Sequence, residues 1–344
     1  MNGNQVREPA NDKSKNPTFT FVKILFIRFS SIGDIVLTTP LIRCAKQQLK
    51  GAEIHFITKK KFAGILEANP YIDKLHTIDE SVSEIAVELK KENFNYVIDL
   101  HNNIRSLRLK SALGRPNFSF DKLNYKKWLL VQFKIDKLPK LHIVDRYFET
   151  LSSLGIKNDL QGLDHFIPVK DKIDIPAFLS STFHNGFHSL VLGGSYFTKQ
   201  IPTNKLKEII ERSDKPLVLL GGKEEQDLGN ELENLFPEKV KNCCGKINLH
   251  QSSSLIEQSN KVITSDTGLM HIAAAFKKEV HSIWGNTVKE FGMYPYLPGN
   301  NSKIHEVTGL SCRPCSKLGY HSCPKKHFKC MNDIDTSQVF SQNQ

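Results

Sequence analysis

The chain has 344 residues, of which 39% are hydrophobic and 24% are charged, and its formal net charge is +11. This length exceeds what one hydrophobic core usually fills, so we expect two domains. The composition is that of a globular protein, and no apolar run approaches the roughly 20 residues that a membrane-spanning helix needs. Residues 1–20 lack the apolar segment of a secretion signal, so we expect a disordered leader and a cytoplasmic protein.

The N-terminal half alternates short β-rich runs with segments whose apolar residues recur at helical spacing. The predicted strands are 23–29, 53–58, 75–78 and 96–100, and the predicted helices are 35–49, 62–68 and 82–91. Such alternation indicates a parallel sheet covered by helices on both faces. The pattern weakens over 102–140, a helix is predicted at 143–154, and the polar stretch from Pro168 to Gly186 is the predicted linker.

The alternation restarts at residue 188. The predicted strands are 188–192, 216–220, 261–264 and 279–283, and the predicted helices are 204–212, 224–235 and 268–276. Glycines follow several of these strands, at the edge where open α/β sheets place their ligands. The sequence therefore predicts two doubly wound α/β domains, at 21–175 and 185–335.

The positive charge is concentrated between His101 and Lys140. This stretch holds ten Lys or Arg and two acidic residues, Asp121 and Asp136, which leaves a net charge of +8. Such a block favours a polyanionic partner, which could be a nucleic acid, a phosphorylated lipid or an anionic membrane face. A solvated basic surface without a partner explains the same block.

The segment 265–271 (SDTGLMH) joins a predicted strand to a predicted helix. Free backbone N–H groups and the positive end of the helix dipole make such a turn suitable for a diphosphate. Thr267 adds a hydroxyl donor, His271 lies one helical turn further on, and Asp266 can accept hydrogen bonds from sugar hydroxyls. The alternative is that Asp266 caps the helix and that His271 is a surface residue with its hydrogen bonds satisfied.

Three further turns follow predicted strands. In 193–199 (GGSYFTK), Lys199 could neutralise a phosphate, although the spacing is not that of a P-loop. In 221–225 (GGKEE), the carboxylates suit ribose hydroxyls, or else they complement a helix dipole. In 30–34 (SSIGD), Asp34 could act as a general base, or else as a helix cap.

Taken in this order, the segments resemble those of the lipopolysaccharide heptosyltransferases, glycosyltransferase family 9. The motifs that carry the resemblance are 27–40 (IRFSSIGDIVLTTP), 99–106 (DLHNNIRS) and 265–275 (SDTGLMHIAAA), and it extends from about residue 23 to residue 334. It implies the GT-B architecture, in which two Rossmann-like domains face each other across a cleft. It also implies an inverting, metal-independent transfer of heptose from ADP-heptose to a lipopolysaccharide inner-core acceptor, without a cofactor.

The resemblance also implies roles for individual residues. Asp34 matches the catalytic base. Donor binding is expected at Ser195, Lys199, Glu224, Asp266, Thr267, Gly268 and His271, with Glu225 as the alternative to Glu224.

The acceptors of the family are anionic lipid A–core glycolipids at the inner face of the cytoplasmic membrane, which gives the basic block a candidate partner. We expect acceptor contacts at His101, Asn102, Arg105, Lys126 and Lys127. Peripheral membrane contact is expected through apolar side chains that could also pack in the domain core, namely Tyr125, Trp128, Leu129 and Leu130.

Four of the seven cysteines cluster near the C-terminus, at Cys312, Cys315, Cys323 and Cys330. They could bind zinc, with His321 and His327 as competing ligands, or they could be packed thiols or labile disulfides. The sequence leaves these possibilities open.

Three alternatives to the heptosyltransferase hypothesis explain parts of the same sequence. An enzyme of the same fold could use another nucleotide sugar or glycan acceptor. A nucleic-acid-binding protein would explain the basic block, but no recognised binding module accompanies it. An inactive sugar-binding relative is disfavoured by the presence of Asp34.

Overall fold

The computed structural model describes residues 22–340, and the leader predicted at 1–20 lies outside the described residues. The strands are β1 Lys23–Ile27, β2 Glu53–Lys59, β3 Lys74–Ile78, β4 Tyr96–Asp99, β5 Asn117–Ser119, β6 His188–Val191, β7 Leu217–Leu220, β8 Val240–Asn242, β9 Lys261–Ser265, β10 Glu279–Trp284 and β11 Lys303–Glu306. The α-helices are α1 Ile32–Val36, α2 Thr39–Gln48, α3 Ser83–Lys91, α4 Ile104–Leu113, α5 Asn124–Phe133, α6 Ile143–Phe148, α7 Ile175–Phe178, α8 Thr203–Arg212, α9 Gln226–Leu235, α10 Leu249–Gln258, α11 Gly268–Ala275 and α12 Lys329–Asn332. No helix in the described part of the chain is long and apolar enough to span a bilayer.

The strands form two sheets, and in each sheet the order in which successive strands are added reverses once. The first sheet has the order β3-β2-β1-β4-β5, and the second has the order β11-β10-β9-β6-β7-β8. The paired strands are parallel throughout. The strand order reverses between β1 and β4 in the first sheet and between β6 and β9 in the second. The predicted pair of doubly wound sheets is therefore confirmed. Three of the four candidate turns, those after β1, β6 and β9, follow strands at these two reversal points, where open α/β sheets bind ligands, and the turn 221–225 follows the neighbouring strand β7.

The alternation continues through 102–140, where the sequence pattern weakens, because α4, β5 and α5 follow one another there. The strand β5 has only three residues and lies at the sheet edge, so its pattern is short. The helix predicted at 35–49 is two helices. Pro40 is in the first turn of α2 and lacks the N–H that a continuous helix would need, so the chain breaks between Val36 and Thr39.

Helices cover both faces of the first sheet, which explains why its strands are apolar along their length. Ile24 and Phe26 of β1 point to a core formed with α1, α2 and α6. Leu25 and Ile27 point to the opposite core, formed with α3 and α4. Successive residues of a strand face opposite sides, so a strand buried on both faces reads as a continuous hydrophobic run.

The two halves of the protein meet where α1 packs against α11. A methyl group on Gly33 would lie 2.5 Å from Cδ2 of His271, and one on Gly268 would lie 2.8 Å from Cβ of Ile32. Glycine is therefore required at both positions for the helices to approach this closely. This contact brings the turns after β1 and β9 to opposite walls of one cleft.

Candidate active site

A cavity of about 370 Å³ lies in the cleft between the two sheets. All the predicted catalytic and donor-binding residues except Glu224 line it. Its wall from the first half of the chain includes Arg28, Ser31, Asp34, Phe120, Lys122 and Lys127. Its wall from the second half includes Ser195, Lys199, Asp266, Thr267, Gly268, His271, Trp284, Thr287 and Lys317.

Asp34 caps the helix that carries it and also faces the cavity. It is the third residue of α1, and its Oδ2 accepts hydrogen bonds from the backbone N–H of Ser31 (3.1 Å) and from the Ser31 hydroxyl (2.9 Å). Its Oδ1 lies 2.6 Å from Nη2 of Arg28. The helix-cap and functional interpretations of Asp34 are therefore compatible, since the hydrogen bonds that cap α1 also fix the orientation of the carboxylate.

Arg28 is a cavity residue to which the sequence hypothesis gave no role. It is buried, its Nε donates to the carbonyl of Ser30 (2.8 Å), and its Nη1 donates to the carbonyl of Leu100 and to the hydroxyl of Tyr147. Burial alone would raise the pKa of Asp34, but the charge of Arg28 and the hydrogen bonds from Ser31 outweigh it and hold the pKa below 3.8. Asp34 is thus ionised at neutral pH. Arg28 could have been identified from the sequence, because it is a charged residue that directly follows an apolar strand.

The opposite wall is organised around Asp266. Its Oδ2 lies 2.6 Å from Nζ of Lys199 and accepts a hydrogen bond from the hydroxyl of Thr287 at 3.0 Å. The N-cap of α11 is Thr267, and its side chain does not cap the helix, so the alternative in which Asp266 acts as the cap is wrong. Thr267 and Gly268, at the start of α11, line the cavity together with Lys199. Free N–H groups at a helix start beside an ammonium group are an arrangement suited to phosphate.

His271 is not the surface residue of the alternative interpretation. It is buried against Gly33, and burial lowers its pKa to about 4, so the ring is neutral at pH 7. Its Nδ1 has no hydrogen-bond partner among the described residues, and the same is true of Nε1 of Trp284. Trp284 ends β10 and Thr287 follows it, so the strand-end rule that identified Asp266 would also have identified these two residues.

The remaining donor candidates lie beside the cavity. Glu224 is exposed in the turn after β7 and does not line the cavity. Glu225 accepts a hydrogen bond from the backbone N–H of Gly222 at 2.8 Å, and its carboxylate lies against Gly193 at the end of β6. Which of the two acids contacts the nucleoside stays a prediction.

The acceptor candidates are spread over a wider surface. Lys127 lines the cavity, and its burial, together with the charge of Arg146, lowers its pKa to about 8. The ring of His101 packs edge-on against Phe29. The other candidates lie outside the cavity: Asn102 donates its amide to the carbonyl of Phe120, Arg105 lines a separate cleft of about 730 Å³, and Lys126 is exposed.

The charges in the cavity favour an anionic ligand. Its basic side chains outnumber its acidic ones, because Arg28, Lys122, Lys127, Lys199 and Lys317 face only Asp34 and Asp266. A concave site with an excess of one sign of charge concentrates ligands of the opposite sign.

Two parallel, doubly wound sheets whose reversal points meet at one cleft are the architecture of the GT-B class of glycosyltransferases. The sequence model of glycosyltransferase family 9 (heptosyltransferase) matches residues 82–323, and the chain belongs to this family. The expected family, fold and class of enzyme are therefore confirmed.

Relatives of known name match most of the chain. Lipooligosaccharide heptosyltransferase 2 of Campylobacter jejuni serotype O:2 is 28% identical over 333 residues, which cover 90% of this chain and 94% of that protein. Lipopolysaccharide heptosyltransferase 1 of Campylobacter coli is 27% identical over 294 residues, which cover 77% of this chain and 84% of that protein.

Solved structures share the fold at lower sequence identity. The family 9 glycosyl transferase from Veillonella parvula has a TM-score of 0.69 at 21% identity, covering 83% of this chain and 86% of its own. E. coli ADP-heptose LPS heptosyltransferase II has a TM-score of 0.65 at 19% identity, covering 91% of this chain and 98% of its own.

Proposed function

We propose that this enzyme transfers heptose from ADP-heptose to the inner core of a lipopolysaccharide, with inversion at the anomeric carbon and without a metal ion. One observation carries the proposal: the ionised carboxylate of Asp34 and the phosphate-type site at Lys199 and α11 line opposite walls of one cavity. The names of the relatives support heptose as the sugar and lipopolysaccharide as the acceptor.

In the proposed reaction, the acceptor hydroxyl attacks the anomeric carbon as the bond from that carbon to the diphosphate breaks. Asp34 accepts the hydroxyl proton, and the bonding electron pair leaves with ADP. Arg28 keeps Asp34 unprotonated and fixes its orientation before the substrates react. Because hydroxyl and leaving group lie on opposite sides of the anomeric carbon, the configuration inverts.

The leaving diphosphate gains negative charge, which Lys199 and the N–H groups at the start of α11 stabilise. These positive groups occupy the role that a divalent cation has in other sugar-nucleotide transferases, which supports a metal-independent reaction. Ser195, Thr267 and Nδ1 of His271 are further candidate donors to the diphosphate. Oδ1 of Asp266 is the candidate acceptor for a sugar hydroxyl, since the contacts with Lys199 and Thr287 are made by Oδ2.

The choice of donor sugar is tested by supplying ADP-heptose and UDP-sugars side by side with a lipid A–core acceptor. We expect release of ADP coupled to transfer, and no comparable release of UDP. Omitting the acceptor is the control, since it separates transfer from hydrolysis. Faster transfer from a UDP-sugar would replace ADP-heptose as the donor while keeping the diphosphate site.

We further propose that the enzyme reaches its glycolipid acceptor by docking α5 on the inner face of the cytoplasmic membrane. Tyr125, Trp128 and Phe133 are 70%, 46% and 58% exposed, and neighbouring rings lie 6.0 and 5.2 Å apart. Exposed lysines occur in the same stretch of chain, at Lys126 within α5 and at Lys137 and Lys140 after it. Leu130 instead packs on Val288 and Phe291, so α5 has a buried side and an exposed side. Some of its apolar residues therefore pack inside the protein while others are free to contact the membrane.

Replacing Tyr125 and Trp128 together with serine should weaken binding to vesicles that contain phosphatidylglycerol by about tenfold, because partial burial of two aromatic side chains is lost. Co-sedimentation of the protein with vesicles measures the effect. Val169→Ser is the matched control, since Val169 is an exposed apolar residue outside α5. Equal vesicle binding by all three proteins would exclude α5 as the docking surface.

A further inference from the structure

The four clustered cysteines surround a single small space. Cys312, Cys315, Cys323 and Cys330 line an enclosed cavity of about 20 Å³ together with His327 and Asn286. No disulfide joins any of the cysteines in the described part of the chain. A cavity needs about 10–15 Å³ to hold one water molecule, so this space fits one atom-sized occupant.

The contacts of the two neighbouring histidines, His327 and His321, argue against either of them as a metal ligand. Nδ1 of His327 accepts the backbone N–H of Lys329 at 3.0 Å, so in the neutral ring Nε2 carries the proton. That Nε2 lies 3.9 Å from Sγ of Cys312 and can donate to the sulfur. A protonated Nε2 has no lone pair to offer a metal ion. His321 packs against Tyr196 and does not line the cavity. The four sulfur atoms are thus the remaining candidate ligands. No three of them lie within 4.8 Å of one another, so metal binding would draw them together around the ion.

The side chain of Asn286 gives a second, independent indication that an ion binds beside the cysteines. Its side chain is 1% exposed, lines the same cavity, and has no hydrogen-bond partner for either amide atom among the described residues. Leaving a buried amide without partners costs stability, but an amide N–H beside a metal-bound thiolate has an acceptor. Metal binding would therefore resolve a polar group that the protein alone leaves unpaired.

We propose that Cys312, Cys315, Cys323 and Cys330 bind one zinc ion as thiolates, with His327 and Asn286 as hydrogen-bond donors to the sulfur atoms. Four thiolates around one small site select a tetrahedral, thiophilic ion, and zinc is the commonest. Binding releases the four thiol protons to solvent, and no oxidation is involved.

The ion would brace the donor side of the active site. The backbone of Tyr320, between the second and third cysteines, accepts a hydrogen bond from the N–H of Thr198 (3.1 Å) and donates one to its hydroxyl (2.8 Å). Thr198 directly precedes Lys199, and Lys317 of the same cysteine loop lines the catalytic cavity. Loss of zinc should therefore weaken donor binding; this consequence rests on the proposed function, whereas zinc binding itself does not.

Elemental analysis of the full-length, reduced protein tests the site. We expect one zinc per chain, its loss in Cys315→Ser and Cys330→Ser, and its retention in Cys243→Ser, which alters a buried thiol outside the cluster. Cobalt taken up by the metal-free protein should show thiolate-to-metal charge transfer. If the variants fail to fold, titration of the wild type with a mercurial should release zinc as four thiols react.

The possible results separate this site from the proposed reaction. Bound zinc without ADP-heptose affinity would keep the metal site and overturn the proposed donor. Iron at the same stoichiometry would keep the thiolate site and overturn zinc as the ion. A wild-type protein that binds neither zinc nor cobalt, or cysteine variants that retain full zinc, would overturn the site itself.

Discussion

Replacing Asp34 with asparagine should lower the rate of heptose transfer by about 10²–10⁴-fold, the usual contribution of a positioned general base. Asparagine keeps the size of the side chain but cannot accept the hydroxyl proton. ADP-heptose binding should stay near normal, because the donor site is on the opposite wall of the cavity. Single-turnover transfer and donor titration measure the two effects separately.

Ser31→Ala is the matched control for Asp34→Asn. It removes the hydroxyl hydrogen bond to Oδ2 but leaves the carboxylate, the backbone hydrogen bond and the ion pair with Arg28. We expect a much smaller loss of transfer rate. If Asp34→Asn transferred heptose as fast as the wild type, the proton acceptor would have to be another group.

The pH dependence of the reaction follows from the same ion pair. Because the pKa of Asp34 lies below 3.8, its carboxylate stays unprotonated as the pH falls from neutral towards that value. Protonation of the base should therefore not limit the transfer rate in this range. The ion pair also stabilises the fold above pH 3.8, and that stabilisation is lost as the pH falls through the lowered pKa.

The sequence predicted those parts of the site that depend on local structure. Asp34, Lys199 and Asp266 each lie in a turn that follows a strand, so the strand ends marked them as candidates, and the family resemblance supplied their expected roles. The partners that set their chemistry come from distant parts of the chain: Arg28 contacts Tyr147, and Asp266 contacts Thr287. Such contacts depend on how the two sheets pack, which periodicity and turn composition do not encode.

The difference between local and long-range contacts also explains why the helix-cap interpretation holds for Asp34 and the surface interpretation fails for His271. A helix cap is a local feature, so the sequence correctly offered Asp34 as a cap, and the structure combines this with a place in the cavity. The alternative that placed His271 on the surface fails, because nothing near it in the sequence indicates its burial. Its burial comes from Gly33, more than 200 residues earlier, which packs against it across the cleft.

Lys199→Ala should reduce both donor affinity and transfer rate, with a loss of about 10²–10³ in kcat, typical of removing one group that stabilises developing charge. The ammonium group of Lys199 neutralises Asp266 at 2.6 Å as well as facing the phosphate-type site. Its removal therefore withdraws a positive charge and also leaves a carboxylate near the diphosphate with only Thr287 as partner. Isothermal titration with ADP and steady-state kinetics measure the two losses.

A double variant, Lys199→Ala with Asp266→Asn, separates the loss of the positive charge from the effect of the unpaired Asp266 carboxylate. The second substitution removes the unpaired charge, so ADP affinity should partly recover. The value of kcat should stay low, because the stabilising ammonium group is still missing. Lys205→Ala is the matched control, since Lys205 forms a comparable ion pair with Glu208 on α8, outside the cavity. ADP affinity that is unchanged in Lys199→Ala would place the diphosphate elsewhere. ADP affinity that falls without recovery in the double variant would instead show that the loss comes from the missing ammonium group and not from the unpaired carboxylate of Asp266.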